Sequence, residues 1–173
     1  MTSLAIHLSH LFFHKKCYMY YDRFVVAAAC LFLSCKIYDK HPEIKKLSTS
    51  FIKVMRKLDN EEEGLIEESD VVASREKICQ AESDIIKVLN YDFEFDVAYK
   101  FINIFFARED MNEPRNLYYL TRIMALDIYK TGASLHYNIE TIAITAVIYA
   151  NVILTGNMIP KKPDTQLEHL YQS

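Results

Sequence analysis

The segment FVVAAACLFLSCK, residues 24–36, constrains this chain more than any other. Wound at ~3.6 residues per turn it is apolar on every side. A helix of that kind belongs in the middle of a bundle, with other helices around it. Ala27, Ala28 and Ala29 let those neighbours approach closely. The uninterrupted apolar run, Phe24–Leu33, is far shorter than the ~18 or more residues of a membrane span. Asp22 is a suitable N-cap, and the helix should run from there to about Ile37.

Other helices can be placed around this one. Leu4, Leu8, Leu11 and Phe12 recur at helical spacing and predict a helix from about Ser3 to Lys16. Pro42 opens a helix from Glu43 to Leu58, with its apolar stripe on Ile44, Leu47, Phe51, Val54, Met55 and Leu58. An acidic linker, Asp59–Asp70, follows. Ile78, Ala81, Ile85 and Leu89 mark a helix from Val71 to Leu89. Three more are expected: Val97–Ala107; Glu113-Pro114 to Lys130, ended by Gly132; and Asn138 to about Leu154, closed by Gly156 and Pro160. A short polar helix is expected from Asp164. Only 3 Gly and 4 Pro fit this all-α reading better than a sheet with tight turns.

The chain also repeats itself. A shift of 116 residues lays Leu8–Cys35 on Met124–Asn151 without a gap, and sets the N-cap Asp22 on the N-cap Asn138. Residues 1–92 then form a first helical repeat and 93–173 a second. On this register the first repeat lacks its opening helix and the second its last. The expectation is that the apolar helix carrying Val25, Val26, Leu31 and Phe32 keeps an uncovered apolar strip. Its counterpart, Ile142–Ile153, would be covered by the helix Val97–Ala107.

Several function classes are disfavoured. The formal net charge of -3 argues against binding nucleic acid by bulk electrostatics. Cys17, Cys30, Cys35 and Cys79 form no C-x-x-C pair, and reduced thiols in an intracellular compartment are expected. The N-terminus has no secretory signal pattern. There is no Gly-rich phosphate loop, G-x-S-x-G or H-E-x-x-H, so there is no positive case for an enzyme, and no cofactor is expected. His7, His10 and His14 share a helical face and would be metal ligands in principle; packing is the preferred reading, and no metal is expected. Phe12, Phe13, Tyr18, Tyr20 and Tyr21 are read as core and loop packing before base stacking. The acidic linker, and Lys45, Lys46, Lys53, Arg56 and Lys57, are read first as solvated charge. Contact with a kinase or an acidic peptide is the functional alternative for the lysines and the arginine.

Three segments carry a resemblance. Ser9-His10-Leu11-Phe12-Phe13 is similar to the H-R-F-Y stretch of the transcriptional cyclins (T, K and L types). Val26–Ile37 is similar to their A-a-x-x-L-x-L-A-x-K-V stretch, and Glu76–Phe93 to their E-x-x-I-L-x-x-L-x-F segment. Tyr99-Lys100-Phe101 stands where their second repeat begins. The resemblance spans about residues 3–155, dense over the first repeat and thin over the second. Leu11 replaces the family's Arg, and Tyr38-Asp39 stands where Glu-Glu is usual. Tyr21-Asp22-Arg23-Phe24 mimics a mitotic-cyclin motif but stands at the wrong helix.

The resemblance implies a cyclin-like fold of two tandem helical repeats, incomplete at both ends. It implies a non-catalytic partner of a cyclin-dependent protein kinase, nuclear and acting in transcription by RNA polymerase II, with no direct nucleic-acid or membrane contact. By position, Lys36 and Glu82 would grip the kinase's C-helix, with Phe32, Tyr38, Asp39 and Ile85 sharing the contact. The residues alone leave Lys36 open to a snorkelling role at a helix C-terminus. Glu82 is equally open to a place at the surface, although Ile78, Ile85, Ile86 and Leu89 around it put it on an apolar side, where a carboxylate needs a partner. Two other functions stand beside the kinase regulator: a shortened cyclin-fold scaffold without kinase activation, and an adaptor like general transcription factor IIB that binds DNA and the TATA-binding protein.

Overall fold

The structure is a computed structural model that describes residues 1–60, 64–108 and 115–156. Among these residues every regular element is helical. Seven α-helices follow in order: α1 (Thr2–Lys15), α2 (Arg23–Ile37), α3 (Ile44–Leu58), α4 (Glu68–Val88), α5 (Ala98–Arg108), α6 (Arg115–Lys130) and α7 (Ile139–Thr155). Single 3₁₀ turns, Tyr18–Tyr20 and Ala133–Leu135, join α1 to α2 and α6 to α7. No described helix is long and apolar enough to cross a membrane. The expected start of α6 at Glu113-Pro114 and the helix from Asp164 lie outside the described residues.

The chain divides into two compact units. The first comprises Met1–Val97 with Tyr129–Tyr137; the second comprises Ala98–Ile128 with the residues from Asn138 onward. In the first unit α2 lies between α1 and α4, and α3 packs mainly on α4. Leu4, Leu8 and Phe12 from α1 meet Val26, Ala29, Cys30 and Leu33 from α2, and Ile78, Ile85 and Leu89 from α4. Burial among these groups pushes the Cys30 thiol up to about 12, so it is an inert core residue. In the second unit α5 packs along α7, as the repeat leads one to expect. Tyr118 donates a hydrogen bond to Asn103 Oδ1 at 3.1 Å, and Tyr99 donates one to the Arg122 carbonyl at 3.0 Å, tying α6 to α5.

Local chemistry sets the helix ends. Asp22 Oδ1 accepts hydrogen bonds from the N–H groups of Phe24 and Val25 at 2.8 and 3.3 Å, which satisfies two of the unpaired donors at the start of α2. Asn138 does the same for α7 through the Thr141 N–H at 3.0 Å. The 116-residue offset carries the first residue of α2 onto the first residue of α7. Gly156, at φ 71°, ends α7 in the left-handed conformation that a residue with Cβ adopts only with strain.

Two expectations need correction. The acidic linker is shorter than the composition suggests, because α4 begins at Glu68 rather than Val71. Glu68 and Asp70 then occupy its first turn, where the helix dipole favours carboxylates. The uncovered strip on α2 is also narrower. Val25, Val26 and Phe32 are buried, whereas Leu31 is 37% exposed and Ala27 lies at the surface. The neighbouring helices of the first unit cover more of α2 than a missing helix would uncover.

Candidate functional site

The last turn of α2 and the middle of α4 converge on one ion pair. Lys36 Nζ donates to Glu82 Oε1 and Oε2 at 2.7 and 3.0 Å. The same ammonium sits 4.2 Å from the centroid of the Phe32 ring, one helical turn earlier, in a cation–π contact. The two partners differ in exposure: the Lys36 side chain is 46% exposed and the Glu82 side chain only 9%. Glu82 is thus a buried carboxylate whose desolvation is offset by an ammonium at its open side. The Lys36 ammonium is thus held between the two carboxylate oxygens and the Phe32 ring, with its side chain still half-exposed to solvent.

The other candidates distribute around this pair. Ile85 lies one turn beyond Glu82 and is wholly buried, so it supports the site from beneath and presents no surface. Phe32 is also buried and acts through the face it shows to Lys36. Tyr38 caps the C-terminus of α2 and is partly exposed. Burial, then the nearby Asp96 carboxylate, raise its hydroxyl above the usual tyrosine value. Asp39 has φ 52°, and Lys40 N–H reaches back to the Cys35 carbonyl at 2.9 Å, closing the helix in a left-handed turn. Asp is among the few side chains that accept that conformation. Asp39 therefore fixes how the chain leaves the site.

The aromatic cluster separates into two parts. Phe12 is buried and meets the Tyr21 ring edge to face at 4.9 Å. Phe13 stacks on Tyr18 at 3.9 Å, while Tyr20 is 84% exposed. The three histidines do not assemble either. His7 Nδ1 shares a hydrogen bond with Ser134 Oγ at 2.8 Å, His10 packs against Gly132, and His14 faces solvent. Among the described residues no three metal-ligating side chains come together. Burial, with His10 adding repulsion, holds the His7 imidazole below its usual value. The sequence reading missed the His7–Ser134 link, because its members are far apart in the chain and nothing local marks them.

The family model described as "Cyclin, N-terminal domain" matches residues 1–94. That is more than half of the chain, and the chain belongs to the cyclin family. Cyclins are regulatory, non-catalytic proteins, in general regulators of cyclin-dependent kinases. No curated protein matches the chain.

Proposed function

We propose that this chain binds a cyclin-dependent protein kinase through the Lys36–Glu82 surface and holds it in its active conformation. The observation that carries this reading is the ion pair itself. It is placed at the end of an otherwise apolar helix, with the lysine half-exposed over Phe32. A helix end carries unsatisfied backbone groups, and a half-exposed lysine beside a carboxylate suits such an end. Pressed against the kinase's C-helix, the surface would favour the arrangement in which the kinase's own Glu meets its ATP-binding Lys. The cyclin contributes binding free energy to one conformation and no chemistry of its own. The likeness of residues 9–13 and 26–37 to the T, K and L types supports a nuclear kinase acting in transcription by RNA polymerase II.

Pull-down from native extract, with the bound kinase identified, tests the partner. Lys36→Ala and Glu82→Ala should each weaken that complex by roughly tenfold or more, with the helical circular-dichroism signal kept. Normal binding and activation by both variants would remove the site. Kinase bound without a rise in its activity would favour a scaffold instead.

A further inference from the structure

Two charged features are left unused by the kinase contact: the basic side of α3 and the acidic segment that follows it. At ~100° per residue, Lys45, Arg56, Lys53, Lys46 and Lys57 fall within roughly 120° of arc on α3. Ile44, Leu47, Phe51 and Met55 take the opposite side and pack inward. A basic run of this kind is ordinarily a solvated face. Here Lys45 and Arg56 are engaged by the segment that follows. Arg56 Nη1 donates to the main-chain carbonyls of Gly64 and Leu65 at 3.0 and 3.2 Å. Arg56 Nη2 lies 3.6 Å from Asp70 Oδ2. Lys45 Nζ donates to Glu68 Oε1 at 2.8 Å, and Lys46 Nζ to Glu43 Oε1 at 2.9 Å.

One arginine therefore takes two successive peptide carbonyls and a carboxylate. A planar guanidinium with five fixed donors can take main-chain carbonyls on one nitrogen while a carboxylate lies beside the other. The hold on Gly64 and Leu65 is polar, since the Leu65 side chain is almost fully exposed. The ion pairs at Lys45 and Lys46 are exposed to solvent as well, and such pairs are weak and salt-sensitive. Val54, exposed next to Lys57 around the helix, adds apolar surface at the edge of the same face.

We propose that the basic face of α3 is a docking site for an acidic segment of a partner protein, and that residues 64–70 occupy it in the free chain as an internal stand-in. A peptide fits better than a nucleic acid for two reasons. The groups seated on the face are main-chain carbonyls and carboxylates, and the chain as a whole is negative. This inference does not depend on the kinase reading, because it uses a different helix face.

The test uses the full chain and a fluorescein-labelled peptide of alternating Glu and Ala, about ten residues long, followed by fluorescence anisotropy at low and physiological salt. The double variant Glu68→Gln/Asp70→Asn should bind the peptide about three- to tenfold more tightly than the parent. Lys53→Gln/Arg56→Gln should reduce binding to the level of a Gln-Ala control peptide, and Arg56→Lys, which keeps the charge and loses the fork, should fall between. The double variant Glu76→Gln/Glu94→Gln changes the net charge equally elsewhere on the first unit and should leave affinity at the parent level. Several results would overturn the proposal: no tightening in Glu68→Gln/Asp70→Asn, equal tightening in the charge-matched control, undiminished binding without Lys53 and Arg56, or no peptide binding by any variant. A single-stranded oligouridylate binding as tightly as the peptide would make the face a general polyanion surface and overturn it too.

Discussion

The helices α2 and α7 are built alike and differ in what they carry. Each follows a 3₁₀ turn, starts from a capping side chain and buries a run of small and branched apolar residues. The same offset that sets Asp22 on Asn138 sets Phe32 on Ile148, Lys36 on Val152 and Tyr38 on Leu154. The second helix thus keeps the scaffold chemistry and lacks the lysine, the ring beneath it and the tyrosine. Caps and small residues make a central helix; the lysine at the last turn of α2, paired with Glu82, is what sets it apart from α7. Correspondingly, the family match covers 1–94 and not the second unit.

The core under the site should give the largest effect. Ile85→Ala removes a wholly buried side chain and should cost about 2–5 kcal/mol in denaturant unfolding. Val152→Ala, at the position matching Lys36 in a less enclosed place on α7, should cost clearly less. Equal losses would show that the two helices are embedded alike.

The ion pair should respond asymmetrically. Lys36→Ala leaves the buried Glu82 carboxylate unpaired and should destabilise by about 1–3 kcal/mol. Glu82→Gln leaves a half-exposed lysine that water can solvate, and should cost under about 1 kcal/mol. A larger loss from the glutamine variant would mean that the carboxylate is held by more than Lys36.

The caps come next. Asp22→Ala removes an acceptor for two N–H groups and should cost about 1 kcal/mol; Asn138→Ala, with one such bond, should cost somewhat less. Thermal melts of both variants check the order.

The smallest effect concerns pH. The imidazole of His7 titrates below its usual value in the folded chain, so the unfolded chain binds the proton first as pH falls. The contribution of neutral His7 is therefore intact above about pH 6.5 and declines below it, until the lowered folded value is passed. His7→Gln should flatten the stability profile in that window. An unchanged profile would mean that His7 is not the group responsible.

The first prediction sharpens how much of the candidate site was legible. Lys36 and Glu82 are singled out by their positions in the cyclin resemblance; the apolar surroundings on their helices add weight, but the residues alone leave each open to an ordinary surface role. Ile85 could not be separated from them, since helical spacing says which side a residue faces but not how deep it lies. Likewise the apolar strip expected on α2 assigned Val25, Val26 and Phe32 to a place that α1 and α4 already cover.

The sequence by itself determined the elements: where each described helix lies, which side chains cap α2 and α7, and that α2 is central. Those are local matters, decided by spacing of a few residues and by which side chains can reach a nearby N–H. Only the tertiary structure decided the pairings. Lys36 meets Glu82 across 46 residues, and His7 meets Ser134 across 127. Arg56 lies on one side of the chain reversal that brings Asp70 back to it. Such contacts depend on how packed helices set their faces against one another, and no single segment holds that information.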